Sequence, residues 1–442
     1  MIKEMLEMIA DMQSVDMDAK GRARAARQVE QAGIRVNDKP VAFSYVPMLV
    51  TKEDMQAFDD VVVKIQRILD KMTCRYIEDP SYRSIWGFAK DMEELICLPC
   101  DDPYIIPFGR YDLFYDFETG SYSFCEINTD GSGGMSWNDK VAEAILQNYS
   151  NQSYLLDNEI QLLNATDAFA KGICEVYQST KNAVSDPLIA IVDFKEEGVL
   201  TDFDGIIDSL KRSGVRARFT DVRDLYFDGE YLRDKNDQEI IHGIYRRLVT
   251  SVMLARLDEC REMINALKAS KVVLMGHFRT SLAHSKKVFA AMYHPMTWAF
   301  LEDDEIRYIQ EHIPETYVLS EYKLTDEKVA QVLDNPGEWV LKPEEGFGSY
   351  GVLCGMDAEK NQWKELFFKA MKGGYVLQKF CNRYTIPVVR SDGNEVLNVP
   401  LMLGIFQVAG HARALYSRAA QAGVIDYSHG GVCIAAARKG SN

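Results

Sequence analysis

Apolar residues near the start of the chain recur at steps of three and four. Ile2, Met5, Leu6, Ile9 and Met12 fall on one face and predict an amphipathic helix whose methionine stripe is core. A second long helix is predicted from Thr51, an N-cap followed by Glu53 and Asp54, with Met55, Phe58, Val62, Ile65, Leu69 and Met72 buried. Residues 1–104 are therefore expected to form a mainly helical region that packs on the rest.

The period changes at Pro107. DLFYDF and SYSFCEIN alternate as short aromatic strands, and Glu118-Thr119-Gly120 between them predicts a hairpin. A helix is predicted over roughly 137–179, then a buried strand, LIAIVDF, at 188–194. The helix after it is predicted over roughly 202–213, ended by Gly214, and the next strand is VRARFTDV. Together with IIHGIYRRL these segments predict a small Rossmann-like α/β domain over 185–275, although no glycine-rich phosphate turn follows its first strand. Residues 276–340 read as helical again. Beyond them come glycine-bounded strands, WVLKP, GVLCG, YVLQKF and VPLMLGIFQVAG, with little helix between. The expected class is α/β (α+β), divided at 1–104, 105–184, 185–275 and 276–442.

Composition narrows the function. With 442 residues, 47% of them hydrophobic, the chain can bury a large core. Its formal net charge of -16 argues against a nucleic-acid partner, because neutralising phosphate backbones takes clustered Lys and Arg. MIKEMLEMIADMQ lacks the apolar run of a secretory signal, and no stretch reaches the ~18 apolar residues of a spanning helix. A cytoplasmic protein without a membrane partner is expected. Nine cysteines, an odd number, build no disulfide framework. The pair Cys97 and Cys100 has redox spacing, yet Asp101 and Asp102 beside it would raise a thiol pKa.

Candidate chemistry starts in the hairpin. Period-2 alternation puts Arg110 with Asp112 on one strand face and Glu126 with Asn128 on another, and a hairpin can bring the faces together. Two carboxylates and an amide oxygen are hard donors suited to Mg²⁺, and the arginine is left to meet a phosphate or carboxylate. A surface hairpin with a cross-strand ion pair would read the same way.

Lys342 ends a predicted strand and precedes Gly346, Gly348, Ser349 and Gly351, which lead into another strand. A dinucleotide fingerprint must open a helix, so this G-x-G-x-x-G is a false match. A glycine loop between two strands can instead cover phosphates while the strand lysine reaches their oxygens. Lys286 and Lys287 near a helix start, Arg413 and Arg418 around ALYS, and Gly430-Gly431 add basic groups and glycines suited to anions. Arg246 and Arg247 could meet a substrate carboxylate or end a strand in ion pairs. The P-loop, the zincin H-E-x-x-H and the nucleophile elbow are all missing, and the seven histidines have no metal spacing.

Taken in order over roughly 105–435, these segments resemble the circularly permuted ATP-grasp ligases, namely glutathionylspermidine synthases and eukaryotic-type glutathione synthetases. GRYDLFYD and CEINTDGSGG match that family's arginine strand and E-x-N metal motif. The resemblance implies an ATP-grasp fold with an inserted Rossmann-like domain, and ATP and Mg²⁺ as cofactors. It places the metal on Glu126, Asn128 and Glu345 with Asp112 assisting. The nucleotide falls to Lys286 (Lys287 as alternative), Lys342, Gly346, Gly348 and Ser349, with Gln378 and Lys379 in the hinge strand. Arg110 would stabilise a phosphorylated intermediate, and Arg418 with HGGVCIA resembles the family's closing arginine and glycine-rich substrate loop. Met402 stands where the synthetases usually carry a glutamate just before LGIF, and His429 stands where they carry an acid.

The reaction so implied joins a small-molecule carboxylate to an amine, such as a peptide, an amino acid or a polyamine, through an acyl phosphate. A glycine lid at 346–351 would close over it. A homodimer is among the assemblies the resemblance admits. A small-molecule kinase and a silent ATP-binding interaction protein are the alternatives on the same nucleotide site.

Overall fold

The first apolar stripe forms a helix over Ile2–Gln13 that buries Met5, Met8, Ile9 and Met12. Leu6, expected among them, is 50% exposed. At about 100° per residue it lies one step round from Met5, whereas Met8 shares the face of Met5 and Met12. The second helix runs over Lys52–Glu78, and its start is fixed by a reciprocal capping box between Thr51 and Asp54. Its buried face does not close on the N-terminal helices alone. Phe58 meets the ring of Tyr115 edge-on at 5.5 Å, and Gln66 accepts a hydrogen bond from Tyr111 Oη at 2.6 Å. The first hundred residues thus share one core with the central sheet.

This computed structural model describes residues 1–36, 38–100, 102–320, 324–346 and 348–440. Two positions of the sequence reading, Asp101 and Phe347, lie outside the described residues. Cys97 and Cys100 form no disulfide, and burial pushes the Cys97 thiol up.

The hairpin pairs Phe108–Tyr115 antiparallel with Tyr122–Asn128, setting Arg110 opposite Asn128 and Asp112 opposite Glu126. On its other edge Phe108–Tyr115 pairs with the long strand Val396–Val408, so segments nearly 300 residues apart in sequence build one seven-stranded sheet. Gly404 faces Asp112 in this register. A Cβ there would lie 2.1 Å from the Tyr416 carbonyl oxygen and 3.0 Å from Arg110 Cδ, so only glycine lets the strands close around the arginine.

The helix expected over 137–179 is three helices, Met135–Asn148, Gln152–Asp157 and Ala165–Ser179. Asn151 and Asn164 interrupt it because each side chain accepts from a backbone N–H downstream and starts a new helix. A four-stranded parallel sheet follows, in the order Val273–Met275, Gly243–Arg246, Leu188–Asp193, Arg216–Asp221. Its crossover helix, Leu200–Arg212, stops just before Gly214, which has φ +81°.

The third sheet is antiparallel, in the order Thr316–Val318, Tyr375–Lys379, Trp339–Pro343, Leu353–Cys354. It carries a helix that the sequence reading passed over, Lys360–Ala370, whose Trp363 and Phe367 are fully buried. With Trp339, Leu341 and Leu377 they make a core separate from the central one. The unit is a second layer facing the central sheet. Among the described residues no helix is long and apolar enough to cross a membrane.

Candidate active site

The two facing sheets leave a cleft between them. Its walls are Phe114 and Met402 from the central sheet and Val340 from the other, with Val424 and Ile425 beyond. Phe114, Met402, Ala420 and Ile425 form a small apolar cluster of their own, which explains why Met402 is buried here. Polar groups, among them Gln378, interrupt the apolar wall. Gln378 Nε2 is buried and finds no partner among the described residues, so a ligand acceptor would satisfy it. Lys379 also lines the cleft, and its backbone N–H is taken by the Glu315 carbonyl at 2.8 Å.

Lys342, on the strand Trp339–Pro343, lies at the inner end of this cleft. Its Nζ donates to the Cys125 carbonyl at 2.8 Å, which ties the two sheets together. Next to Cys125 stands Glu126. Its Oε2 pairs with Lys286 Nζ at 3.1 Å, and its Oε1 accepts from Asn128 Nδ2 at 3.1 Å. Burial alone would raise the Glu126 pKa, but Lys286, Lys342 and Arg418 together hold it well below the usual carboxylate value.

Lys287 turns the other way. Its Nζ donates to the Trp86 carbonyl at 2.9 Å and pairs with Glu344 at 2.9 Å, so of the two neighbours it is Lys286 that meets Glu126. The lysines lie in a turn between the short helices Ser281–His284 and Val288–Met292, where the Lys286 N–H is anchored on the Glu344 carbonyl.

Asp112 is the most heavily engaged acid. Oδ1 accepts from Arg110 Nε at 2.7 Å, and Oδ2 accepts from Arg110 Nη2 at 2.9 Å, Arg418 Nη2 at 3.1 Å and Asn128 Nδ2 at 3.1 Å. Expected to assist a metal ion, Asp112 is here bound by two arginines. Both guanidinium groups also lie over the Tyr416 ring, at 5.4 and 5.9 Å. Arg418 Nε is buried without a partner among the described residues. These two arginines, Asn128 and Gly348 line a second cleft, polar where the arginines stand.

The glycine loop spans both clefts. Ser349 borders the apolar one and Gly348 the polar one. Gly348, Ser349 and Gly351 all have positive φ, of 64°, 60° and 73°, and Tyr350 at the tip is 88% exposed. At the base of the loop Glu345 Oε1 accepts from Ser285 Oγ at 2.7 Å. The residue as a whole is exposed, but its carboxyl turns inward, and burial pushes its pKa up to about 7. Gly346 precedes Phe347 and borders neither cleft.

No protein-family model matches this chain, and no curated protein does. Among solved structures it is similar to a glutathione synthetase-like effector from Globodera pallida in its apo form. The two share 14% identity over 94% of this chain and 96% of that one, with a TM-score of 0.63. The fold is ATP-grasp-like. Two further structures align less well. One is a γ-glutamylcysteine synthetase candidate from Methylobacillus flagellatus, at 10% identity over 85% of each chain and a TM-score of 0.38. The other is the ATP-grasp ligase PsnB with a minimal precursor, at 12% identity over 57% of this chain and 89% of that one and a TM-score of 0.30. Those scores are too low to bear on the fold.

Within the ATP-grasp-like fold, several flagged groups stand apart from the clefts. Arg413 is exposed. Arg246 is buried in an ion pair with Asp130, and Arg247 donates to the Ser132 carbonyl. His429 Nδ1 lies 2.8 Å from Asp426 in a loop turn. Conversely, Tyr416, Ser285 and His284 belong to the site and had no motif to announce them. Only a contact across the fold gives each its place.

Proposed function

We propose that this protein is an ATP-dependent carboxylate-amine ligase that forms an amide through an acyl phosphate, similar to glutathionylspermidine synthases, with a circularly permuted ATP-grasp chain order. One observation carries the reading. An apolar cleft ending on Lys342 meets a polar cleft holding Arg110 and Arg418, and Glu126, Lys286 and Asn128 stand near their junction. The first suits a base and its phosphates, and the second suits an anionic acyl group. The likeness to the glutathione synthetase-like effector supports a ligase of this class.

Mg²⁺ is bound in such sites by one or two carboxylates completed by phosphate oxygens rather than by an all-protein cage. Among the described residues no three His, Cys, Asp or Glu side chains converge on one point. The available donors, Glu126, Asn128 and Glu345 with Asp112 assisting, fit a metal shared with phosphates. Bound there, the ion would neutralise phosphate charge.

Lys342 and Lys286 screen the phosphates so that a carboxylate oxygen can approach phosphorus, from which ADP departs. Arg110 and Arg418, pinned by Asp112, hold the acyl phosphate. The amine nitrogen then adds to the acyl carbon as phosphate leaves. The glycine loop, with three backbone positions open to left-handed geometry, closes over the intermediate to exclude water. Small carboxylates and amines are the partners, with no role for nucleic acid or membrane.

The test is incubation with ATP, Mg²⁺ and pooled amino acids, glutathione and polyamines, with hydroxylamine as a trap. ATP-dependent hydroxamate is expected. A phosphoester that survives hydroxylamine would mean a kinase, and nucleotide binding without turnover would mean a silent binder; either result refutes the ligase.

A further inference from the structure

The polar cleft holds one group that the mechanism above leaves unused. His284, the last residue of the short helix Ser281–His284, lines the cleft and is 7% exposed. Its Nδ1 is buried and meets no donor or acceptor among the described residues. A buried imidazole without a partner costs free energy, so such a group calls for an explanation.

The charged groups around it are already engaged. Asp130 Oδ2 accepts from the Thr250 N–H at 2.8 Å, and its Oδ1 accepts from Arg246 and, at 3.1 Å, from Thr250 Oγ1. Lys286 is paired with Glu126. None of them is left over for the imidazole, and the residue borders the cleft, whose contents could supply a partner. Burial, with Lys286 next in effect, pulls the ring's pKa down to about 4, against the opposing pull of Asp130 and Glu126. The ring is therefore neutral and adds nothing to the pull of Arg110 and Arg418 on an anion.

We propose that His284 is the positioning residue for the attacking amine, accepting a hydrogen bond from its N–H. This rests on the ligase reading above. With one N–H held, the nitrogen lone pair adds to the acyl carbon. The acyl C–O bond then breaks, and the departing phosphate takes up the released proton. A neutral acceptor suits this task because an uncharged amine is the nucleophile and an acid would hold it as ammonium.

The experiment varies hydroxylamine as the amine at saturating ATP, with the acid that the pooled assay selects. His284→Ala is expected to raise the KM for hydroxylamine about three- to tenfold, the loss of one neutral hydrogen bond, while the KM for ATP moves less than about twofold. His284→Gln, which keeps an acceptor, is expected to recover most of the loss. An unchanged hydroxylamine KM in His284→Ala would overturn the assignment, as would an equal loss in both variants. So would a fall in ATP consumption at saturating hydroxylamine, which would place the imidazole on the phosphate side. No hydroxamate from the wild type would instead remove the ligase reading, and this assignment with it.

Discussion

Asp112→Asn removes one charge and changes one atom for a group of similar size. In the native site the Asp112 side chain is fully buried and accepts four hydrogen bonds, three of them from two guanidinium groups that are themselves only 10% and 11% exposed. The amide would turn an N–H toward at least one arginine and leave two buried cations facing each other with Glu126 as the remaining counter-charge. Removing one partner of a buried, hydrogen-bonded pair costs about 3–5 kcal/mol, and burial this complete leaves solvent little room to screen it. The measurement is the urea midpoint at constant m-value, with hydroxamate formation followed alongside. Both are expected to fall, because the arginines lose their anchor. A double variant, Asp112→Asn with Arg418→Met, should recover part of the stability but not the activity. A single variant within about 1 kcal/mol of wild type would refute the view that Asp112 holds the arginines.

Lys342→Ala takes away a charge-assisted contact worth about 1.5–3 kcal/mol, so ATP affinity by calorimetry should fall roughly ten- to a hundredfold. An unchanged affinity would remove Lys342 from the nucleotide site. Glu126→Gln keeps one acceptor oxygen, for Asn128 or Lys286, but loses the carboxylate, so ATP should still bind while hydroxamate formation disappears; full activity would dismiss Glu126 as a metal ligand. Glu345 has a raised folded pKa of about 7, so the folded state binds its proton more tightly than the unfolded one. Its ionisation therefore lowers stability as pH rises from the unfolded carboxylate range to about 7, and the loss is complete above that. Glu345→Gln should flatten this fall and be the more stable form at high pH, by an amount that solvent at the exposed loop reduces. Parallel melting curves across that range would contradict it.

The sequence by itself determined the elements whose signal is local. The hairpin was legible because alternation and a Glu-Thr-Gly turn are written in adjacent residues, whereas the bulge that shifts its register between Asp112 and Leu113 was not. Thr51 as a cap, Gly214 as a stop and the false dinucleotide match were readable for the same reason. Where a local signal was overlooked, the reading failed, as with Asn151, Asn164 and the Trp363–Phe367 stripe.

What only tertiary structure decided was partnership. Lys286 and Lys287 are indistinguishable in sequence, and the turn that carries them sends one to Glu126 and the other to Trp86 and Glu344. Asp112, expected beside a metal ion, also meets Arg418 from over 300 residues downstream across the sheet. Met402 faces a cleft between two sheets, and His284 Nδ1 finds no partner among the described residues because its charged neighbours are already paired. Charges and orphaned atoms gain their meaning from groups brought together by the fold, and no periodicity along the chain encodes that.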